Sequence, residues 1–237
     1  MQNDVTYLEQ LNQQFSSATT QDVIEWVVNK FGNKAALSTS LSVEDQVILH
    51  MIALTGIHVN VFTLDTGRLF PETYDLIDRT VKKYRIPIRF FFPERQSVEE
   101  MVSLNGINLF YDSIENRKKC CLVRKIDPLK RAFTGLDAWI CGLRREQSVT
   151  RAQMQMFEWD HQNDLIKINP LIEWTNDQVW AYIRQHHVPY NTLYDKGFQS
   201  IGCQPCTRAV MAGEDVRAGR WWWENPESRE CGLHSKK

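Results

Sequence analysis

The sequence predicts an α/β protein built on a parallel sheet, and three observations carry that expectation. Short apolar runs alternate with stretches whose apolar side chains recur at helical spacing. Glycine and proline fall at the boundaries between them. The 237 residues are enough to bury a full core in one α/β domain with a functional tail.

In chain order, Val5 to Phe15 and Gln21 to Phe31 show helical spacing, with Thr20 or Gln21 at the second start and Gly32 as the stop. They form an opening helical segment, residues 1–33. Lys34 to Thr39 reads as a short buried strand, and Val43 to Leu54 as a helix closed by Gly56. Val59 to Leu64 is the second strand and Glu72 to Tyr84 a helix. Ile88 to Phe92 is a third strand, ended by Pro93. A weaker helix spans Ser97 to Leu104, and Asn105-Gly106 marks a turn. Leu122 to Phe133 is amphipathic, which puts Cys120 and Cys121 at its start or just before it. Ala138 to Gly142 and Leu165 to Ile168 are further strands, and Thr175 opens a helix that runs to about His186. Regular periodicity ends after Pro189. Strands alternating with helices imply right-handed crossovers and a parallel sheet. The organisation expected is a helical segment over 1–33, an α/β domain over 34–210 and a flexible C-terminal tail over 211–237.

A formal charge of −1 gives no basic field of the kind nucleic acid requires, so no nucleic-acid partner is expected. No apolar run approaches the ~20 residues of a membrane span, and Met1-Gln2-Asn3-Asp4 begins neither a signal nor a transit peptide. A cytoplasmic protein without a membrane partner is the expectation.

Five of the six cysteines stand out: the tandem pair Cys120-Cys121, the Cys203-Gln204-Pro205-Cys206 knuckle, and Cys231 in a Cys-Gly-Leu-His tail. A Cys-x-x-Cys spacing puts two sulfurs on one side of a tight turn. Adjacent helical residues diverge by roughly 100° about the axis, so tandem thiolates converge poorly on one tetrahedral zinc. A cubic 4Fe-4S cluster offers a separate iron to each of Cys120, Cys121, Cys203 and Cys206. Zinc, two disulfides, or unrelated buried thiols are the alternatives. In a reducing compartment cysteines are more often metal-bound or catalytic than paired.

Three stretches fall at the carboxyl ends of the expected strands, where α/β sheets bind ligands. Ser38 and Ser40 belong to a hydroxyl-rich turn before a helix, suited to phosphate or sulfate or serving only as a cap. Leu64-Asp65-Thr66-Gly67-Arg68 adds a carboxylate and a cation. The stretch Cys141–Arg151 adds Arg145 and Arg151, while Cys141 reads as packing. Arg124, Lys125, Arg208, Arg217 and Arg220 flank the cysteine motifs and form either a site for a highly anionic ligand or a solvated basic face. Cys231, with His234 three positions on, is either a nucleophilic thiol or an incidental exposed one. Trp221-Trp222-Trp223 reads as a packed cap over the site.

Taken in order, Leu-Asp-Thr-Gly-Arg-Leu-Phe-Pro-Glu-Thr, Lys-Cys-Cys-Leu-Val-Arg-Lys, Gly-Leu-Arg-Arg-Glu-Gln-Ser, Gly-Cys-Gln-Pro-Cys-Thr-Arg, Arg-Ala-Gly-Arg-Trp-Trp-Trp-Glu and Glu-Cys-Gly-Leu-His resemble the assimilatory phosphosulfate reductase family, specifically its bacterial iron–sulfur adenylyl-sulfate reductases. The resemblance implies a Rossmann-like, adenine-nucleotide α-hydrolase-like fold and attack by Cys231 on the sulfate sulfur of adenylyl sulfate. AMP leaves, and thioredoxin or a glutaredoxin-like dithiol donor releases sulfite. It also implies a 4Fe-4S cluster that does not cycle electrons, and a homo-oligomer of unspecified size. Lys125, Arg151, Arg217, Arg220 and His234 are the expected screeners of the anionic substrate. Ser40-Leu41-Ser42-Val43-Glu44-Asp45 lacks the glycines of the Ser-Gly-Gly-x-Asp-Ser loop, which favours a nucleotide with one phosphate there. Arg68 stands where enzymes acting on the 3′-phosphorylated substrate often carry tyrosine; a 3′-phosphoadenylyl-sulfate or dual-specificity reductase, and a non-catalytic metal-stabilised binding module, are the alternatives.

Overall fold

The computed structural model describes residues 5–147 and 151–225. Contacts divide the chain into two units. One is drawn from Met1–Thr63, Leu76–Arg89 and Phe133–Asn191; the other from Leu64–Asp75, Phe90–Ala132 and the chain from Thr192 onward.

The first unit opens with α1 (Val5–Gln14) and α2 (Thr20–Phe31). Thr19 and Asp22 cap α2 reciprocally, each side chain taking the other's backbone N–H, so two of the helix's orphan donors are satisfied. Val23, Ile24, Val27 and Val28 bury its inner face, and Gly32 at φ 53 ends it. The sheet strands are β1 (Ala35–Ser38), β2 (Asn60–Leu64), β3 (Ile88–Phe91), β4 (Ala138–Ile140), β5 (Phe157–Asp160) and β6 (Leu165–Ile168). Their order is β3-β2-β1-β4-β6-β5. β1 pairs in parallel with β2 and β4, and β4 with β6, as the alternating pattern predicts. β5 is the exception, an antiparallel edge strand on β6 that the sequence reading passed over.

α3 (Val43–Thr55) follows β1 and is buried almost without interruption from Val43 to Ile52. That burial explains why it shows little amphipathic periodicity. Its buried polar residues are held: Gln46 donates to Thr80 and to the Pro189 carbonyl, and His50 Nδ1 lies 2.9 Å from the Tyr182 hydroxyl. Gly56 at φ 66 closes the helix. α8 (Asn176–His186) carries a second capping box, from Thr175 and Gln178.

In the second unit, α5 (Arg95–Asn105) precedes α6 (Ile114–Cys121), capped by Ser113. The residues Leu122–Ile126 then form a π-helical turn that runs into α7 (Asp127–Phe133). This corrects the expected single helix from Leu122, while the tandem cysteines fall just before that residue, one of the two expected placements, as the end of α6. Pro128 supplies the reason, because it has no N–H to give and its ring would clash with the carbonyl four residues back. A wider turn relieves both, and Asp127 donates to the Leu122 carbonyl. α4 (Pro71–Tyr84) lies between β2 and β3 in the chain. Beyond Pro189 the described chain forms short 3-10 turns, loop and one isolated bridge between Thr207 and Arg220, as the loss of periodicity predicts.

Two buried groups in the first unit titrate in opposition. Burial, reinforced by the His186 and Lys83 charges, pushes His50 down to about 4 from 6.5. Burial, opposed by hydrogen bonds from Ser40, pushes Asp45 up to about 6 from 3.8. Between those values the unfolded chain holds the histidine proton and the folded chain does not, so His50 makes stability rise with pH. Asp45 does the reverse, because the folded chain keeps the proton that the unfolded chain has lost. His50→Gln should therefore make the urea midpoint fall, relative to the parent, as pH rises from 4 to 6. Asp45→Asn should make it rise. Parallel profiles for the two variants would refute the assignment.

Candidate active site

In the first unit the strand order turns outward in both directions from β1 and β4, which makes their carboxyl ends the place where ligands enter such sheets. Ser38 ends β1, and its hydroxyl accepts the Trp139 Nε1–H at 2.6 Å, leaving its own proton to donate elsewhere. The next turn is shaped by Asp45. One of its carboxylate oxygens accepts both the Ser40 N–H and the Ser40 hydroxyl at 2.7 Å. Leu41 adopts φ 61 there, a left-handed conformation that a glycine would take without strain. Its side chain is buried, and the Thr39 hydroxyl accepts its N–H at 3.0 Å. The glycine-poor loop is thus held by side chains where its glycine-rich counterpart would rely on backbone freedom.

Gly142 follows β4. A Cβ there would stand 2.5 Å from Asp45 Oδ1 and 3.0 Å from the Asp45 backbone nitrogen, so only glycine lets this loop approach the start of α3. Arg144 is buried against Glu44 at 2.9 Å and also reaches Glu146. Arg145 donates to the Met154 carbonyl and pairs with Glu173, and Arg151 donates to Gln147. Cys141, as expected, is buried packing. Its sulfur lies 3.1 Å from Asn169 Oδ1, and burial pushes the thiol up to about 12.

The second unit gathers the four motif cysteines. Cys120, Cys121, Cys203 and Cys206 line one cavity, which encloses about 390 Å³ including its open mouth. Arg68, Arg117, Arg124, Lys125, Arg220, Phe110, Pro205 and Trp221 complete its wall. The knuckle is a 3-10 turn over Gln204–Cys206, closed by Cys206 N–H to the Cys203 carbonyl at 3.0 Å. It is tied to the turn after β2 by Gln204 N–H to the Arg68 carbonyl at 2.8 Å, and by Thr66 Oγ1 at 3.2 Å from Cys203 Sγ. An isolated antiparallel bridge between Thr207 and Arg220 brings Trp221 to Cys206, whose carbonyl accepts the Trp221 N–H. Gly219 permits this, since a Cβ there would lie 2.3 Å from the Arg208 carbonyl oxygen. Gly202 similarly makes room for the Arg220 guanidinium, 2.4 Å from where its Cβ would be.

The described cysteines are all free, which removes the two-disulfide alternative for these residues. Burial pushes Cys206 up to about 12, aided by the Cys203 and Cys121 charges and opposed by Lys125 and Arg220. Burial also raises Cys120, against the lowering influence of Arg124. Three donors point to what such a cavity takes. The buried Nε of Arg124, Nε of Arg220 and Nε1 of Trp221 have no hydrogen-bond partner among the described residues. These atoms can only donate, so the wall is built to face acceptors. Among the described residues no three Cys, His, Asp or Glu side chains form a site for a single metal ion.

Other sequence-predicted residues have local partners. Asp65 accepts the Gly67 N–H and the Tyr74 hydroxyl, and Tyr74 is pushed up to about 12 by burial and that carboxylate. Leu64 ends β2. Arg68 donates to the Ile107 carbonyl and Asn108 and lies 5.3 Å from the Phe110 ring centre. Arg208 departs from the expected cation cluster: it is held in a two-pronged pair with Glu214 and does not line the cavity. Arg217 is not in the cavity wall either, while Lys125 and Arg220 are. Of the triple tryptophan, Trp221 lines the cavity, and Trp223 packs on Tyr111 with ring centres 4.5 Å apart. Cys231 and His234 lie outside the described residues. Sequence reasoning missed Asp45, Tyr74, Arg117 and Glu224 as shaping groups. For Arg117 the available signal was its position one helical turn before Cys121.

The match to the phosphoadenosine phosphosulfate reductase domain runs over residues 34–209, and the chain belongs to that family. It is 52% identical over 200 residues to the adenosine 5′-phosphosulfate reductase of Allochromatium vinosum, covering 84% of this chain and 78% of the relative. It is 50% identical over 201 residues to the enzyme of the same name from Neisseria meningitidis serogroup B, with 84% and 82% covered. Among solved structures, the phosphoadenylyl-sulfate reductase of Candida auris in its phosphate complex superposes with a TM-score of 0.77 at 30% identity, over 89% of this chain and 99% of that one. The FMN adenylyltransferase of Candida glabrata, at TM-score 0.57 and 15% identity over 97% of this chain and 80% of that one, shares the fold.

Proposed function

We propose that this chain reduces adenylyl sulfate to sulfite and AMP in assimilatory sulfate reduction, with Cys231 as the nucleophile. The relatives named above support the substrate, and the cysteine cavity carries the reading. The Cys231 thiolate attacks the sulfate sulfur and the bond from sulfur to the phosphate oxygen breaks. Its electron pair leaves with AMP, and a cysteine S-sulfonate remains. A dithiol protein of the thioredoxin or glutaredoxin type then attacks the Cys231 sulfur, expels sulfite and becomes a disulfide with its second thiol.

A thiolate approaching a phosphosulfate meets like charge, so cations must screen the encounter. Lys125, Arg151, Arg217, Arg220 and His234 are assigned that task. Ser38, Ser40, Leu64, Asp65, Arg68 and Arg145 are assigned to nucleotide binding. Ser38 is suited to it because its proton remains available to an acceptor.

Cys120, Cys121, Cys203 and Cys206 would hold a 4Fe-4S cluster, and the donor set fits one. Four cysteine sulfurs, those of Cys120, Cys121 and Cys206 on buried residues and that of Cys203 on a half-buried one, share one wall with cations and with three unpartnered donors, which suits a group whose thiolate and sulfide sulfurs carry negative charge. Such a group, when bound, supplies fixed charge and order to the cavity. Lys125, in the same wall, is the residue through which that charge is felt by substrate. No helix among the described residues is long and apolar enough to cross a membrane. A cytoplasmic homo-oligomer is the setting proposed.

The substrate is tested by comparing turnover of adenylyl sulfate with that of its 3′-phosphorylated form under one dithiol donor. The expected result is a kcat/KM strongly in favour of adenylyl sulfate. Equal values would make the protein a dual-specificity reductase, and a reversed preference would refute the substrate assignment.

A further inference from the structure

Arg117 has no exposed surface, although it stands in a run with Lys118 and Lys119 on α6. Its guanidinium is engaged by Glu224 and by the Trp221 ring. Nε and Nη2 each donate to a different oxygen of Glu224 at 2.8 Å. The fork lies 4.9 Å from the centre of the Trp221 ring. Cys121 sits one turn further along the same helix face, and both residues line the cavity. Glu224 is itself buried. A buried ion pair of this kind seldom stabilises a fold more than well-packed apolar residues would, so stability alone is a weak reason for its presence. Its geometry serves a different end. One fork ties a cavity tryptophan and the residue at 224 to the helix turn that carries a cavity sulfur.

We propose that Arg117 is a positioning residue of the cysteine centre, fixing the Cys121 sulfur and clamping Trp221–Glu224 to the same wall, with Glu224 as its counter-charge. The consequence for a cofactor rests on the iron–sulfur reading above; the clamp itself does not. A sulfur that must meet iron at one corner of a cluster needs a set direction, and a donor hydrogen bond to it both sets that direction and withdraws charge from the iron–sulfur bond. Lysine cannot replace the fork, because its ammonium is a point charge without the planar pair of donors.

The test uses Arg117→Lys, which keeps the charge and loses the fork, and Glu224→Gln, which keeps the shape and loses the counter-charge. Far-ultraviolet circular dichroism establishes that each is folded, and if Arg117→Lys is not, Glu224→Gln decides on the same readouts. In anaerobically purified protein the expected result is a shift in the iron–cysteine stretching bands by resonance Raman, with iron lost to a chelator about 10–100-fold faster than in the parent. Unchanged bands and unchanged iron retention in the folded variants would overturn the proposal. If the parent itself holds no iron, the iron–sulfur reading fails separately, and the clamp is judged by alkylation mapped to each cysteine. Faster labelling of Cys121 relative to Cys206 supports it, and labelling identical to the parent overturns it.

Discussion

Cys231→Ser is expected to abolish sulfite release from adenylyl sulfate, by at least about 10³-fold, while leaving the fold and any bound iron intact. Serine keeps the size of the side chain, but its hydroxyl stays protonated at neutral pH and cannot become a comparable nucleophile or accept attack by a dithiol. Cys231 also lies outside the four-cysteine motif, so its loss removes no candidate iron ligand. The check is sulfite formation alongside iron content and the thermal melt. Full turnover in the variant would remove the covalent step from the mechanism. Loss of iron together with turnover would instead make Cys231 a cofactor ligand and require a different nucleophile.

The second large effect is expected from Cys203→Ser. Cys203 lines the cavity, starts the knuckle turn and has Thr66 beside its sulfur, so it joins the two segments that the cavity depends on. Loss of one thiolate should remove the iron and the brown colour, and activity with them, because ligands of a metal group are bound as a set and its binding free energy is part of the folding free energy. The melting temperature should fall in the same preparation. Iron analysis, the visible spectrum and turnover on one sample check this. A colourless variant that turned over at the parental rate would show that the cavity's occupant has no part in the reaction.

The elements and the chemistry were legible for different reasons. β1, β2 and β6 could be found because a buried parallel strand is a short apolar run, and Ala35–Ser38, Asn60–Leu64 and Leu165–Ile168 are such runs. β5 was missed because Phe157-Glu-Trp-Asp alternates one buried aromatic with half-exposed charged residues, as an antiparallel edge strand does, and so looked like loop. The π-helical turn was missed because hydrophobic periodicity continues through Leu122–Ile126. Only the steric demand of Pro128 interrupts the regular bonding. The cysteine set was legible from spacing alone, since few other chemistries ask for a tandem pair and a knuckle. Its supporting shell was not. Arg117 and Glu224 are separated by 107 residues, and nothing local marks either as buried. Arg208 was grouped with the cavity cations by proximity in the chain, but Glu214, six residues on, takes it. Asp45 closes a stretch that the sequence leaves open between a phosphate or sulfate site and a cap; that one of its oxygens holds both the N–H and the hydroxyl of Ser40 emerges only when the loop is folded.

The central claim is a separation of roles, with four sulfurs occupied in the cavity and Cys231 kept for the substrate. Mass spectrometry tests it most directly, on anaerobic protein incubated with adenylyl sulfate in the absence of any dithiol and then digested for peptide mapping. The account predicts one added SO₃ group, confined to the peptide containing Cys231 and removed by thioredoxin. The same group on Cys120, Cys121, Cys203 or Cys206, or no adduct in protein that turns over when reductant is supplied, would contradict it.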